Sequence, residues 1–204
     1  MQQLTGLDAA FLYMETASNF GHVSGLAIFD PASAGAVTLE DVKELLESRM
    51  HLLPPLRRRL VEVPFGLDHP YWIEDPDFDL DFHVREVALP KPGNRQQLAE
   101  QVARIVSRPL DRNHPLWELY VISGLDNGHV AQLTKIHHSS IDGVSGAEVL
   151  ATILDIEPEP KPVEPPAQPW RPDPRPDQLE LLARGVAALV TTPAKSISFQ
   201  RRAL

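Results

Sequence analysis

Cysteine is absent from the 204-residue chain. That excludes a disulfide framework, a cysteine-ligated zinc and a thiol nucleophile, and it permits a reducing compartment. Positive charge is in deficit: 19 Lys and Arg stand against 28 Asp and Glu, a formal net charge of −9. Nucleic acid is therefore an unsuitable partner, because neutralising phosphates needs clustered basic side chains. Long apolar runs are missing too. None approaches the ~20 residues that cross a bilayer, so any membrane contact is expected to be peripheral. The opening residues, Met1-Gln2-Gln3-Leu4-Thr5-Gly6-Leu7-Asp8, contain neither a basic leader nor an apolar signal core, so the expected location is the cytoplasm. No internal repeat is found. What is present suffices for a hydrophobic core: 43% of the residues are apolar, and the length suits one domain plus an appendage.

The order of segments predicts an α/β chain, in the α+β sense of a mixed, mostly antiparallel sheet flanked by helices. Residues 8–16 read as one or two helical turns, and His22 to Phe29 as a strand ended by Asp30-Pro31. His22, a lone histidine on a strand, is expected to be a packed or surface residue. Thr38 caps a helix whose stripe is Leu39, Val42, Leu45, Leu46 and Met50, stopped by Pro54-Pro55. The basic run Arg57-Arg58-Arg59 reads as a solvated turn. Residues 60–65, 71–74 and 80–89 are strand candidates, and residues 95–107 form a helix with Leu98, Val102, Ile105 and Val106 on its apolar side. Asp126-Asn127-Gly128 predicts a hairpin joining a strand after Pro115-Leu116-Trp117 to the run Val130 to Ile136. Both the Pro-Leu-Trp loop and the residues after Ile136 then lie at one end of that hairpin.

Those residues are His137-His138-Ser139-Ser140-Ile141-Asp142-Gly143, followed by an apolar helical run from Val144 to Ile156. Neighbouring side chains on an extended chain point to opposite faces, so only one of the two histidines can look into a given cavity. Three readings are open. A neutral imidazole, with an unperturbed pKa of about 6.5, can take a hydroxyl proton as a general base. Two histidines can also bind metal, although opposed directions make poor co-ligands and no H-E-x-x-H accompanies them. Both can simply be structural. A serine hydrolase triad using Ser139 or Ser140 is weaker, since there is no G-x-S-x-G elbow.

Beyond Ile156 the composition changes. Residues 157–176 contain nine of the 20 prolines, which suits an extended spacer and not a helix or sheet. Residues 178–190 then read as an apolar helix that needs a docking surface. The expected organisation is a domain of residues 1–156, a linker of 157–176, and a helix and tail of 177–204.

The pattern H-H-x-x-x-D-G resembles the signature of the CoA-dependent acyltransferase superfamily. Leu7-Asp8-Ala9-Ala10-Phe11-Leu12, Pro55-Leu56-Arg57-Arg58-Arg59-Leu60, Phe82-His83-Val84-Arg85 and Pro115-Leu116-Trp117-Glu118 extend the likeness. With them, residues 1–156 are similar to bacterial wax ester synthases and diacylglycerol acyltransferases. Gly21-His22 departs from the Met-His pair common in that family. The resemblance implies the N-terminal half of a two-domain, chloramphenicol-acetyltransferase-like fold, with the C-terminal half of the same enzyme as partner. It implies His138 as general base, His137 as its less critical neighbour, Asp142 as a structural carboxylate and Gly143 as the residue permitting the turn. Pro115, Leu116 and Trp117 become candidates for a substrate-channel wall, and the three arginines for contacts to CoA phosphates. Acyl-CoA is the implied co-substrate, with no further cofactor or metal, and diacylglycerol or a fatty alcohol is the acceptor. Contact with the inner membrane or lipid inclusions would be peripheral. The alternatives are a condensation-domain or polyketide-associated acyltransferase with a carrier-bound substrate, and a non-catalytic lipid-binding or docking module.

Overall fold

Two β-sheets organise the chain. The computed structural model describes residues 1–31, 35, 37–141, 149, 151–153 and 163–191. In chain order the elements are β1 (Gln2–Gln3), α1 (Gly6–Tyr13), β2 (His22–Phe29), α2 (Leu39–Arg49), β3 (Arg58–Val61), β4 (Tyr71–Glu74), α3 (Leu80–His83), β5 (Val84–Ala88), α4 (Arg95–Val106), β6 (Trp117–Ser123) and β7 (Val130–His137), with a last helix at Gln178–Thr191. The larger sheet runs β2-β7-β6-β5 and the smaller β1-β4-β3. Among the described residues all strand pairings are antiparallel except β5 with β6, whose parallel crossover is supplied by α4.

The expected hairpin is the centre of the larger sheet. Trp117 pairs with Ile136 and Ile122 with Ala131. The loop between them is longer than a two-residue turn, because Asp126 N–H is drawn to Gly93 O at 2.9 Å. Gly93 (φ 78°) lies so close to Gly124 O that a Cβ there would sit at 1.9 Å, so only glycine fits.

β6 is buried on both faces, and its alternation sorts the core. Trp117, Leu119 and Val121 meet Val42 and Leu46 of α2 and Met50 just beyond it, together with Val149 and Ile153. Tyr120 and Ile122 meet Leu98 and Ile105 of α4. Helix α2 begins as expected, in a capping box between Thr38 and Asp41. It gives way to short 3-10 turns at Met50–Leu52 and Pro54–Arg57. Buried Arg49 donates to Thr152 O at 2.8 Å and Ile153 O at 3.2 Å, which fixes residues 151–153, a piece of the helix expected after the motif. Apart from Val149, the remainder of that expected helix lies outside the described residues, as do Asp142 and Gly143.

Two expectations need correction. Residues 80–83 form a helical turn, not a strand, because Asp79 accepts Asp81 N–H as an N-cap; the strand starts at Val84. The arginine triplet is not a solvated turn. Arg57 and Arg58 lie 3.6 and 3.2 Å from Glu74, and Arg59 lies 3.5 Å from both Asp75 and Asp77. The apolar helix expected to need a docking surface lies outside the three core clusters and rests on this domain: Leu181 is fully covered, and a Cβ on Gly185 would come within 2.9 Å of Val63 and Leu67. Leu179 and Val186 face outward. Before the helix, residues 163–177 carry no helix or strand. They are fastened at the end of β4 by Trp170 Nε1–H to Glu74 Oε2 (2.9 Å) and Glu74 N–H to Asp173 Oδ2 (3.0 Å).

Candidate active site

β7 delivers the two histidines to different surroundings. His137, its last residue, is buried and lies opposite His22 across the β2 pairing. Its Nδ1 accepts Ser139 N–H at 3.0 Å and lies 2.6 Å from Ser139 Oγ. An N–H donor requires a lone pair on Nδ1, so the proton of this ring is on Nε2. Nε2 lies 3.2 Å from Glu15 Oε1 but makes no well-formed hydrogen bond with it. Burial pushes the pKa of His137 below its ordinary value, outweighing the attraction of Glu15. The ring therefore stays neutral.

His138 turns the other way. It is half-buried, its ring stacks on Phe11 at 4.8 Å and 15°, and its N–H donates to Gly21 O at 2.8 Å. It borders a cavity of about 240 Å³ shared with Phe11, Met14, Phe20, Gly21 and His22. His22, expected to be a packed or surface residue, forms part of this wall. Its Nε2–H donates to Val106 O at 2.9 Å, and burial, the largest influence, lowers its pKa.

The back of the site is a carboxylate that sequence reasoning passed over. Glu15, between α1 and β2, accepts Gly21 N–H on Oε1 at 2.8 Å and Arg112 Nη2 on Oε2 at 2.8 Å. The same Arg112 nitrogen donates to Leu12 O at 2.8 Å. Burial raises the pKa of Glu15, but the hydrogen bonds from Arg112 and Gly21 hold it below the ordinary value. Gly21 is confined here: a Cβ would lie 2.6 Å from His137 Nε2 and 3.1 Å from Phe11 O. A methionine in the Gly21 position would therefore require His137 or α1 to move.

The sequence match decides the family. The profile of the wax ester synthase/diacylglycerol acyltransferase catalytic domain covers residues 4–203. The chain belongs to this family. A Mycobacterium tuberculosis protein with the provisional name diacylglycerol O-acyltransferase is 40% identical over 183 residues, 89% of this chain and 38% of that protein. A shorter one from the same species, named a probable diacylglycerol O-acyltransferase, is 36% identical over 198 residues, 96% of this chain and 71% of its own length. Among solved structures, the wax ester synthase/diacylglycerol acyltransferase of Marinobacter aquaeolei VT8 has a TM-score of 0.61 at 34% identity, covering 74% of this chain and 37% of that one. The starter condensation domain of rhizomide synthetase has a TM-score of 0.56 at 13% identity, covering 74% and 36%, a likeness of fold alone. The chain thus has the fold of the N-terminal half of these proteins and spans 38% of the length of the first curated relatives it matches.

Within the family fold, the element Pro115-Leu116-Trp117 is core and not channel wall. All three residues are buried, Trp117 Nε1–H donates to Leu56 O at 2.7 Å, and none borders the cavity beside His138. The element reaches the motif through its backbone instead: Leu116 O accepts His137 N–H at 2.9 Å. Phe82-His83-Val84-Arg85 supports it from below, with His83 Nδ1–H on Trp117 O at 2.8 Å and Arg85 Nε–H on Phe82 O at 2.8 Å. Ser139 does reach a histidine, but it is His137, and the hydroxyl is buried. Ser139, His137 and Glu15 form an internal brace, not a nucleophile open to substrate. Among the described residues no helix is long and apolar enough to cross a membrane.

Proposed function

We propose that this chain carries the general-base half of an acyl-CoA-dependent O-acyltransferase. His138 removes the hydroxyl proton as an alcohol adds to the thioester carbonyl of a long-chain acyl-CoA. The tetrahedral oxyanion collapses with cleavage of the C–S bond, the ester is released, and the proton passes to the departing thiolate of CoA. Direct attack needs no acyl-enzyme. The observation that carries this reading is the division between the two rings: His137 is sealed and neutral, whereas His138 borders a cavity. The relatives' names support diacylglycerol as acceptor, giving triacylglycerol, with a fatty alcohol giving a wax ester as the second acceptor. The half of the fold beyond this chain is the partner that closes the channel, and contact with the inner membrane or lipid inclusions is peripheral. No further cofactor is invoked. The test is acyl transfer by the complete protein with a panel of acceptors, for wild type and His138→Ala. A loss of about a thousandfold in a folded variant fits a general base; an unchanged rate rules that role out. Dependence on a carrier-bound acyl group instead of free acyl-CoA would favour a condensation-type enzyme.

A further inference from the structure

We propose that Glu15 is the positioning residue of this site, its carboxylate joining three separate segments into the wall that presents His138. The inference rests on the reading of His138 as base. Two things fix the His138 ring, its backbone N–H on Gly21 O and its face on Phe11, and Glu15 governs both. Through Oε1 it holds the N–H of the same Gly21 whose carbonyl receives His138. Through Oε2 it holds Arg112, which in turn grips Leu12 O, one residue from Phe11. His137 completes the clamp, wedged between Ser139 and Glu15 with its ring against Gly21.

The demand is for a carboxylate in particular. Oε1 faces two N–H groups, from Gly21 and His137, while Oε2 faces a guanidinium. Among the described residues each of these neighbours is a donor, so a carboxamide can satisfy only one side and must direct its own NH2 at a donor on the other. Glu15→Gln should keep the Gly21 side and release Arg112; Glu15→Ala releases both. A displacement of about 1 Å at a reacting group is enough to cost about a hundredfold in rate. A residue that only aligns the base lowers kcat and leaves substrate binding nearly intact.

The experiment compares wild type, Glu15→Gln, Glu15→Ala and His138→Ala in the complete protein, with long-chain acyl-CoA and diacylglycerol. The same proteins, isotopically labelled at histidine, are examined by NMR for the ring protons of His138, which stacking on Phe11 shifts upfield. The expected result is a fall in kcat of about a hundredfold for Glu15→Ala, with KM within about twofold and the upfield shift lost; Glu15→Gln lies between it and wild type. Should Glu15→Ala fail to fold, Glu15→Gln carries the same comparison. If the Glu15 variants retain wild-type kcat or an undisturbed His138 signal while His138→Ala is inactive, the positioning role is overturned and the base reading stands. If His138→Ala is itself active, both fall.

Discussion

Acid should unfold this domain partly through His83. The ring is fully buried and stacked 4.4 Å from Trp117 and 5.5 Å from Phe78. Nδ1–H is committed to Trp117 O, which leaves Nε2 as a lone pair with no hydrogen-bond partner among the described residues. A proton added there would create a buried cation facing no acceptor, so burial pulls the pKa from 6.5 to about 4. Because the folded value lies below the unfolded one, the unfolded chain takes up the proton first as the pH falls. Stability is intact above pH 6.5, declines as the pH drops from there to about 4, and levels off below. At about 1.4 kcal/mol for each pH unit, that interval is on the order of 3 kcal/mol. The assay is urea unfolding of wild type and His83→Asn at about pH 7 and about pH 4. Asparagine can still donate to Trp117 O and does not titrate. Its static cost appears at both pH values and drops out of the comparison, as do the carboxylates common to both chains. Wild type should lose roughly 3 kcal/mol more than the variant on acidification. Equal losses would mean that His83 is not held neutral by burial.

Other substitutions probe the remaining contacts. Gly21→Ala places a methyl group 2.6 Å from His137 Nε2 and should cost about 1–3 kcal/mol by overpacking; an unchanged urea midpoint would show that the ring yields freely. Buried Lys135 donates to Ile105 O and Arg108 O and lies 3.5 Å from Glu118. Lys135→Met should lose about 3–5 kcal/mol, and adding Glu118→Gln should recover part of it; a double variant no more stable than the single would refute the charge argument. Trp117→Phe leaves Leu56 O without its donor and should cost about 1–3 kcal/mol from that group alone, read from the same denaturation curves.

The parts of the fold legible in sequence are those set by neighbours in the chain. The Thr38 cap and the helix over residues 95–106 are local devices, and the hairpin follows from a turn flanked by β-formers. The four-residue helix at Leu80–His83 is too short for a periodic signal. The arginine triplet misled because the carboxylates that neutralise it lie 16 or more residues further on, across β3–β4. Pro115-Leu116-Trp117 has the same composition whether it lines a channel or fills a core, and only burial distinguishes the two. The division between His137 and His138 was readable from strand alternation. Glu15 was not: its partner Arg112 is 97 residues away, and an acidic residue after a short helix resembles any surface position. The confinement of Gly21 against His137 is the structural sign that picks it out.

The alternation of β7 gives the site an all-or-none character. The strand is zipped to β2 from His22 to Phe29 and to β6 from Trp117 to Ile122, so its frame cannot drift gradually. A shift by a single position would exchange the two imidazoles, hiding the open one and exposing the sealed one. Insertions at the exposed Asn127-Gly128 tip can be absorbed by the loop, whereas one residue gained or lost inside β7 would silence the site while leaving the sheet largely able to form.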